Sequence, residues 1–315
     1  MSFAQPSLMP SFTRPPSRVA IVRSRDYGHD LGALLYQALQ EFALPVKDMA
    51  VLLKPNFVEP DPRDIINTHP AVVAAAREAF LRLGARSVRV AEGPAHERDS
   101  EAIVETIRLR DFLGPLHDLF VDLNLDEVHP VNLRTRASRL KQLYFPRTVL
   151  EADYIVSLPK LKTHHWAGVT LSLKNMFGIV PGCCYGWPKN VLHWAGITPS
   201  ILDINSTVRP DFAIVDGILG MEGNGPLQGS AKSSGVLILG DDPVAVDATC
   251  VRVMGLQPER IDYLAKAGAL LGHVRVEKIR QLGESVASVR TPFAVIPAFQ
   301  RLVEPPPLPT FAARG

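Results

Sequence analysis

Residues 50–91 read AVLLKPNFVEPDPRDIINTHPAVVAAAREAFLRLGARSVRVA. Ala50–Leu53 (AVLL) is short, branched and apolar, the pattern of a strand covered on both faces. Thr68 and Pro70 mark a helix start, with Thr68 or His69 at the cap and Pro70 in the first turn. That helix runs through Ala71–Leu83 to Gly84, and Ser87–Ala91 (SVRVA) is the next strand. Upstream, Arg18–Val22 (RVAIV) reads as another buried strand. Between it and AVLL, Asp30–Phe42 carries Leu31, Leu34, Leu35, Ala38, Leu39 and Phe42 at helical spacing, as a crossover helix would. Downstream, Tyr154–Leu158 (YIVSL), Phe212–Val215 (FAIV) and Val236–Leu239 (VLIL) are further core strands. Helices are expected over Val191–Val208, over Pro243–Met254 with Asp242 as its cap, and over Ile261–Leu271, ended by Gly272. The alternation predicts an α/β protein with a mainly parallel sheet flanked by helices.

Residues 18–303 form the body of this prediction. Pro-rich segments at 1–17 and 304–315 read as tails, which could lie over a second subunit of a homo-oligomer or over another partner. Residues 100–147 mix a charged helix with short alternating stretches at Phe120–Leu123 and Val128–Leu133. If the chain has two lobes, their boundary falls within 95–150.

Composition narrows the function classes. With 46% hydrophobic and 21% charged residues in 315, the chain can bury a large core and is not wholly disordered. The formal charge of +2 gives no net field for nucleic acid. No charged-then-apolar leader and no run of about 18 apolar residues is present, which predicts no membrane span and a cytoplasmic protein. Three cysteines, with Cys183 and Cys184 adjacent, make neither a disulfide framework nor the spacing of a zinc or iron–sulfur site.

The basic residues divide into 10 Lys and 24 Arg. Lys160, Lys162, Lys174 and Lys189 all fall within a 30-residue stretch where an even spread would put about one. A lysine is a compact point charge whose pKa moves readily on burial, so the cluster reads as a functional site before a solvated face. A fifth lysine, Lys54, follows directly on AVLL with Asn56, where parallel sheets collect ligands at their strand ends.

Leu158–Asn175 (LPKLKTHHWAGVTLSLKN) presents Lys160, Lys162, Thr163, His164, His165, Lys174 and Asn175 after a strand end. Several cations with hydroxyl and amide donors suit a small anion, a carboxylate or a phosphate. His164 could transfer protons near neutrality or ligate a metal, and Lys162 or Lys174, with lowered pKa, could act as a base or Schiff-base former. Lys189 and His193, four apart, share a helical face if a helix forms there. Asp216–Gly229 (DGILGMEGNGPLQG) reads as a glycine-rich loop after FAIV, offering Asp216, Glu222 and Asn224. Its glycines do not fit the G-x-G-x-x-G nucleotide fingerprint. The bland alternative for all these segments is a polar loop surface with satisfied histidines.

These blocks together resemble the family catalogued as domain of unknown function 362. The carrying motifs are KPN at Lys54–Asn56, THP at Thr68–Pro70, LPKLKTH at Leu158–His164 and TLSLKNMFG at Thr170–Gly178. The Lys189/His193 pair, Val215–Gly229 and DDPVAVDA at Asp241–Ala248 continue the order over about residues 18–272. The resemblance implies little about activity. Some relatives in that family carry ferredoxin-type cysteine clusters; this chain has no such cysteines.

The leading expectation is therefore an enzyme for a small anionic metabolite, a carboxylate before a phosphate. Lys54, Asn56, Lys160, Thr163, Asn175, Lys189, Asp216, Glu222 and Asn224 would bind or orient it. His164, Lys162, Lys174 or His193 would move a proton, and Lys162, Lys174 and Asp216 are expected to share one cleft. A second reading is a metal- or cofactor-binding redox or accessory protein. Its divalent or transition ion would take ligands from His164, His165, His193, Asp216 and Glu222. A third is a non-catalytic interaction module acting through the tails.

Overall fold

Along the strand that begins at Phe212, Ala213 and Val215 join one apolar core while Phe212, Ile214 and Ile218 join another. Tyr154, Val156 and Ile155 divide in the same way. Such strands are covered on both faces, which is why they read as unbroken apolar runs. The structure, a computed structural model, describes residues 14–28, 30–94 and 99–303. Its strands are β1 (Ser17–Arg23), β2 (Ala50–Pro55), β3 (Ser87–Glu92), β4 (Phe120–Asp122), β5 (Val128–Asn132) and β6 (Gln142–Pro146). They continue as β7 (Tyr154–Leu158), β8 (Lys160–His164), β9 (Gly168–Thr170), β10 (Phe212–Glu222), β11 (Ser230–Gly240) and β12 (Ile279–Gly283).

The main sheet runs β12-β1-β11-β10-β7-β2-β3-β4. Neighbours from β10 to β4 are parallel, as are β1 and β12, while β11 is antiparallel to both β1 and β10. Helices Leu31–Gln40 and Pro70–Arg82 cover one face. Helices Ile197–Thr207, Pro243–Val253 and Asp262–Leu270 cover the other. The fold is a mixed, mostly parallel α/β sheet between two helical layers.

The helix between RVAIV and AVLL is a crossover connection, and it passes three strands, β11, β10 and β7, which lie between β1 and β2. Two expectations are corrected in detail. The segment 216–222 is not a glycine loop but the second half of β10, and 160–164 is the strand β8. Charge masks the strand pattern in both; 216–222 pairs with β11 on one side, from Asp216 opposite Leu237 to Glu222 opposite Ser230, and meets β8 on the other, Asp216 opposite Lys160 and Met221 opposite Lys162. The helical region 191–208 is two helices, Asn190–Trp194 and Ile197–Thr207, parted at Gly196, whose φ of +101° few other residues would adopt. Of the expected tails, residues 1–13 and 304–315 lie outside the described residues, and Ser17 already belongs to β1.

Helix caps follow the sequence closely. His69 Nδ1 accepts from the Ala71 amide, and Asp242 accepts from the Val244 amide, each just ahead of a proline in the first turn. The antiparallel pair β5–β6 attaches to the main core through Leu133, Leu143 and Phe145.

One buried carboxylate holds a segment that matters below. Asp247, fully buried on helix Pro243–Val253, accepts from the Ser172 and Leu173 amides at 2.7 and 3.0 Å. It fixes the short helix Ser172–Asn175 that follows β9. Asp247→Ala is expected to lower the unfolding free energy by about 2–4 kcal/mol, because two amides lose their acceptor. Urea denaturation of the variant checks this; a loss below about 1 kcal/mol would show that the turn is held by other contacts.

Candidate functional site

β10 is eleven residues long and outlasts its neighbour β7. Its first part pairs with β7; after Pro159 the chain continues as β8 along the rest of β10. β2, on the other side of β7, ends at Pro55 opposite Leu158. The sheet divides there, and a cavity of about 260 Å³ opens between the ends of β2 and β3 and the strand β8. Lys162 and His164 alternate with Leu161 and Thr163 along β8 and both line the cavity, as the two-residue repeat of a strand requires.

The floor is a buried ion pair. Lys54 Nζ, at the end of β2, meets Glu92 Oε2, at the end of β3, at 2.7 Å, with both side chains sealed from solvent. Lys54 also donates to the Pro55 carbonyl at 2.8 Å and to Asn175 Oδ1 at 3.0 Å. Glu92 accepts from the Phe57 and Gly93 amides, and Asn175 Nδ2 returns a bond to the Lys54 carbonyl. Gly178 lies flat against this pair; a Cβ there would collide with Lys54 Nζ and Glu92 Oε1. Burial lowers the Lys54 ammonium from its usual range even though Glu92 opposes the shift.

Three further lysines face the cavity without an ion-pair partner among the described residues. Lys162 Nζ is fully buried and donates to the Ile66 carbonyl at 2.6 Å. Burial, then Lys160 and Lys174, push it well below the lysine range. Lys189 Nζ donates to the carbonyls of Gly93 and Phe177 at 2.9 and 2.8 Å, and burial brings it to about 7. Lys174, partly open to the cleft, sits over the Phe177 ring at 4.1 Å and is lowered to about 8 by burial and by Lys54. Glu92 is the only carboxylate among the described lining residues.

The histidines divide by tautomer. His164 Nδ1 accepts from the Trp166 and Ala167 amides at 3.0 and 3.3 Å, so in the neutral ring the hydrogen is on Nε2. Burial and then Lys174 hold this ring well below the usual histidine range, which keeps it neutral. His193 Nδ1 donates to the Lys189 carbonyl at 3.1 Å, and His165 Nδ1 donates to the Gly225 carbonyl at 2.8 Å. Each of these two carries its free lone pair on Nε2. His164 is thus a hydrogen-bond donor at the cavity, while His165 and His193 are acceptors of protons.

Of the residues singled out from the sequence, Lys54, Asn56, Lys162, His164, His165, Lys174, Asn175, Lys189 and His193 line the cavity. Lys160, Thr163, Asp216, Glu222 and Asn224 do not. Lys160 and Asp216 form their own sealed pair at 2.6 Å, joined by the Tyr27 hydroxyl and the His69 amide. Asp216 therefore does not stand with Lys162 and Lys174 in the cleft. Thr163 donates to the Gly223 carbonyl, Glu222 meets Lys232 and the Ala294 amide, and Asn224 is exposed, donating to Gln228. The carboxylates expected to complete a metal site are committed elsewhere, and no three His, Cys, Asp or Glu among the described residues are grouped to hold a metal ion.

Lys189 and His193 do share the site, but Lys189 precedes the helix Asn190–Trp194 with φ +65° instead of lying within it. Glu92, Thr170, Trp166 and Phe177 line the cavity and were missed. Glu92 had a readable signal: it is a charge directly closing the strand SVRVA. Thr170 had none beyond its place in a motif.

A model of the family described as domain of unknown function, DUF362, matches residues 51–252. The chain belongs to the DUF362 family. This DUF362 protein is 29% identical over 262 residues to the thylakoid-associated protein sll1697 of Synechocystis sp., covering 78% of this chain and 77% of that one. Among solved structures, the lactate racemase apoprotein from Thermoanaerobacterium thermosaccharolyticum is similar at a TM-score of 0.43 and 14% identity, over 66% of this chain and 51% of that one. A Thermotoga maritima protein solved by structural genomics is similar at 0.41 and 15%, over 64% and 52%. The matched part spans about half of each solved chain. No helix among the described residues is long and apolar enough to cross a membrane.

Two outcomes follow from the site's charges. Glu92→Gln strands the Lys54 ammonium in a sealed floor and is expected to cost about 3–5 kcal/mol in chemical denaturation, whereas an exposed carboxylate would cost under 1. The second concerns pH. Lys189 loses its proton near 7 in the folded protein and near 10.5 in the unfolded chain, so between those values the unfolded chain binds the extra proton. Stability of the ligand-free protein should therefore rise from pH 7 to 9, by up to about 1.4 kcal/mol per pH unit for that lysine. Lys189→Met should flatten the rise; melting curves at pH 7, 8 and 9 that are parallel for wild type and variant would contradict the assignment.

Proposed function

We propose that this DUF362 protein is an enzyme that binds a small carboxylate in the divided-sheet cleft and moves a proton on it. The observation that carries the reading is the convergence of Lys162, Lys174 and Lys189 on a cavity whose lining carboxylate is already paired. Buried ammonium groups are strongly disfavoured without a counter-charge, so an arriving carboxylate restores what burial removed. At about 260 Å³ the cavity lies just below the range of drug-sized sites, which favours a small acid over a dinucleotide.

The histidines supply the chemistry. With the carboxylate held by the lysines, His164 Nε2–H donates to an oxygen on which negative charge develops, without itself giving up a proton. His193 Nε2 removes the proton; burial and Lys174 lower its basicity, so it is unprotonated and ready at neutral pH. Trp166 and Phe177, whose rings lie 5.2 and 5.8 Å from His193, hold its orientation. A cytoplasmic, reducing compartment accords with the free thiols Cys183, Cys184 and Cys250.

Small mono- and dicarboxylic acids should raise the melting temperature of the wild type more at pH 6.5 than at pH 9, because protonated lysines bind anions. Acids that bind should then exchange a carbon-bound hydrogen in deuterium oxide, read by proton NMR. His193→Gln is expected to slow that exchange by about 10²–10⁴-fold while leaving binding nearly intact. Acids that bind but show no exchange with the wild type would leave a binding protein, not an enzyme of this class. Acids that stabilise Lys162→Met as well as wild type would remove the cleft as their site.

A further inference from the structure

Among the described lysines that line the cleft, Lys174 alone presents its nitrogen to an occupant. Lys54, Lys162 and Lys189 are no more than 1% exposed. Each directs its ammonium at fixed acceptors: Lys54 at Glu92, Asn175 and Pro55, Lys162 at the Ile66 carbonyl, Lys189 at the Gly93 and Phe177 carbonyls. Lys174 Nζ makes no hydrogen bond or ion pair among the described residues, yet it is not one of the sealed atoms left without a partner, because it opens on the cleft. It sits over the Phe177 ring, 4.1 Å from the centroid. A ring face steadies an ammonium but offers no lone pair that would hold the amine once its proton is lost. Burial and Lys54 lower this amine to about 8, so near neutral pH an appreciable share of it is unprotonated. His193 flanks the same ring, with 5.8 Å between centroids.

We infer that Lys174 is a nucleophile that forms an imine with the carbonyl group of an α-oxo acid bound in the cleft. The inference rests on the proposed function above and names its substrate class. Taking a proton from carbon needs somewhere for the electron pair to go, and a carboxylate, already negative, accepts it poorly. A protonated imine is a positive charge next to that carbon and accepts it readily. A lysine that served only as counter-ion to a plain acid would provide no such sink.

The step balances with protons and water alone. Neutral Lys174 Nζ adds to the carbonyl carbon, and the C=O pair moves to oxygen, where His164 Nε2–H donates to the developing charge. One proton passes from nitrogen to that oxygen. With a second proton from solvent the oxygen leaves as water, so the C–O bond breaks and the protonated C=N bond forms. His193 Nε2 then takes a hydrogen from the carbon next to the imine. The C–H pair becomes the C=C bond of an enamine, and the C=N pair returns to nitrogen. Reprotonation at carbon and hydrolysis release the oxo acid and the free lysine.

Incubation of the full chain with pyruvate or α-ketoglutarate and sodium cyanoborohydride, followed by peptide mass spectrometry, tests this. Reduction should fix the acid on Lys174, while the exposed Lys266 stays at the level seen in denatured protein. Propionate and glutarate, which lack the carbonyl, should give no adduct. Lys174→Arg and Lys174→Gln should lose the adduct, and hydrogen exchange of the oxo acid should fall with it to the rate in buffer. Lys174→Arg keeps the charge, so the acids that stabilise wild type should still raise its melting temperature, which shows that the variant folds and keeps its cleft. His193→Gln should keep the adduct and lose the exchange. If an oxo acid stabilises wild type but Lys174 gains no adduct, this inference fails while carboxylate binding stands. It fails in the same way if the adduct falls on Lys54, Lys162 or Lys189, or if Lys174→Arg exchanges at the wild-type rate. If no acid stabilises wild type and none is trapped, the proposed function fails and this inference with it.

Discussion

β10 is longer than the strand it first pairs with, and the cleft exists because of that mismatch. Its backbone groups beyond Ala213 need partners, and β8 supplies them after the chain bends at Pro159. β2 cannot follow that bend, since it ends opposite Leu158. Side chains at the ends of β2 and β3 are left to close the gap, and Lys54 and Glu92 do so with a sealed ion pair. A parallel sheet offers its ligand sites beyond the carboxyl ends of its strands. Here that opening is widened by a strand that changes partner.

The cleft then concentrates positive charge that the protein does not itself neutralise. Lys160 answers Asp216 beneath the site and Lys54 answers Glu92 at its floor, so both pairs serve the scaffold. Lys162 and Lys189 rest on backbone carbonyls, and Lys174 rests on an aromatic face. Carbonyls and rings satisfy hydrogen bonds and some charge, but they do not remove the cost of burying several like charges together. On the function proposed above, an arriving anion would offset that cost. Strain of this kind belongs at functional sites, where stability elsewhere in the fold offsets it.

Asp247 connects this electrostatic site to the helical layer. Through the Ser172 and Leu173 amides it places the turn that carries Lys174 and Asn175 over the ion pair. Gly178, at the end of the same turn, allows the backbone to touch Lys54 and Glu92. The turn, the ion pair and the strand ends are therefore joined in one hydrogen-bonded network. A change in any of them alters both the shape of the cavity and the charge within it.

Local pattern alone determined the α/β class, the strand cores at 50–53, 87–91, 154–158 and 212–215, a cap at Thr68 or His69 and another at Asp242, and the lysines worth locating. Apolar period, proline and cap chemistry act over a few residues, so they are visible in a single chain. Nine of the site residues singled out from sequence line the cavity. Tertiary structure decided the rest. Charged residues hid β8 and the second half of β10; each pairs with a nearby strand, β9 or β11, and the two meet each other across more than fifty positions of sequence. It also decided which lysine met which carboxylate: Asp216 took Lys160 and Glu92 took Lys54, leaving Lys162, Lys174 and Lys189 for the cleft. The tautomers of His164 and His193 likewise depend on which backbone groups reach them. Ion pairing and hydrogen bonding are set by distances between remote segments, and those distances exist only once the sheet has formed.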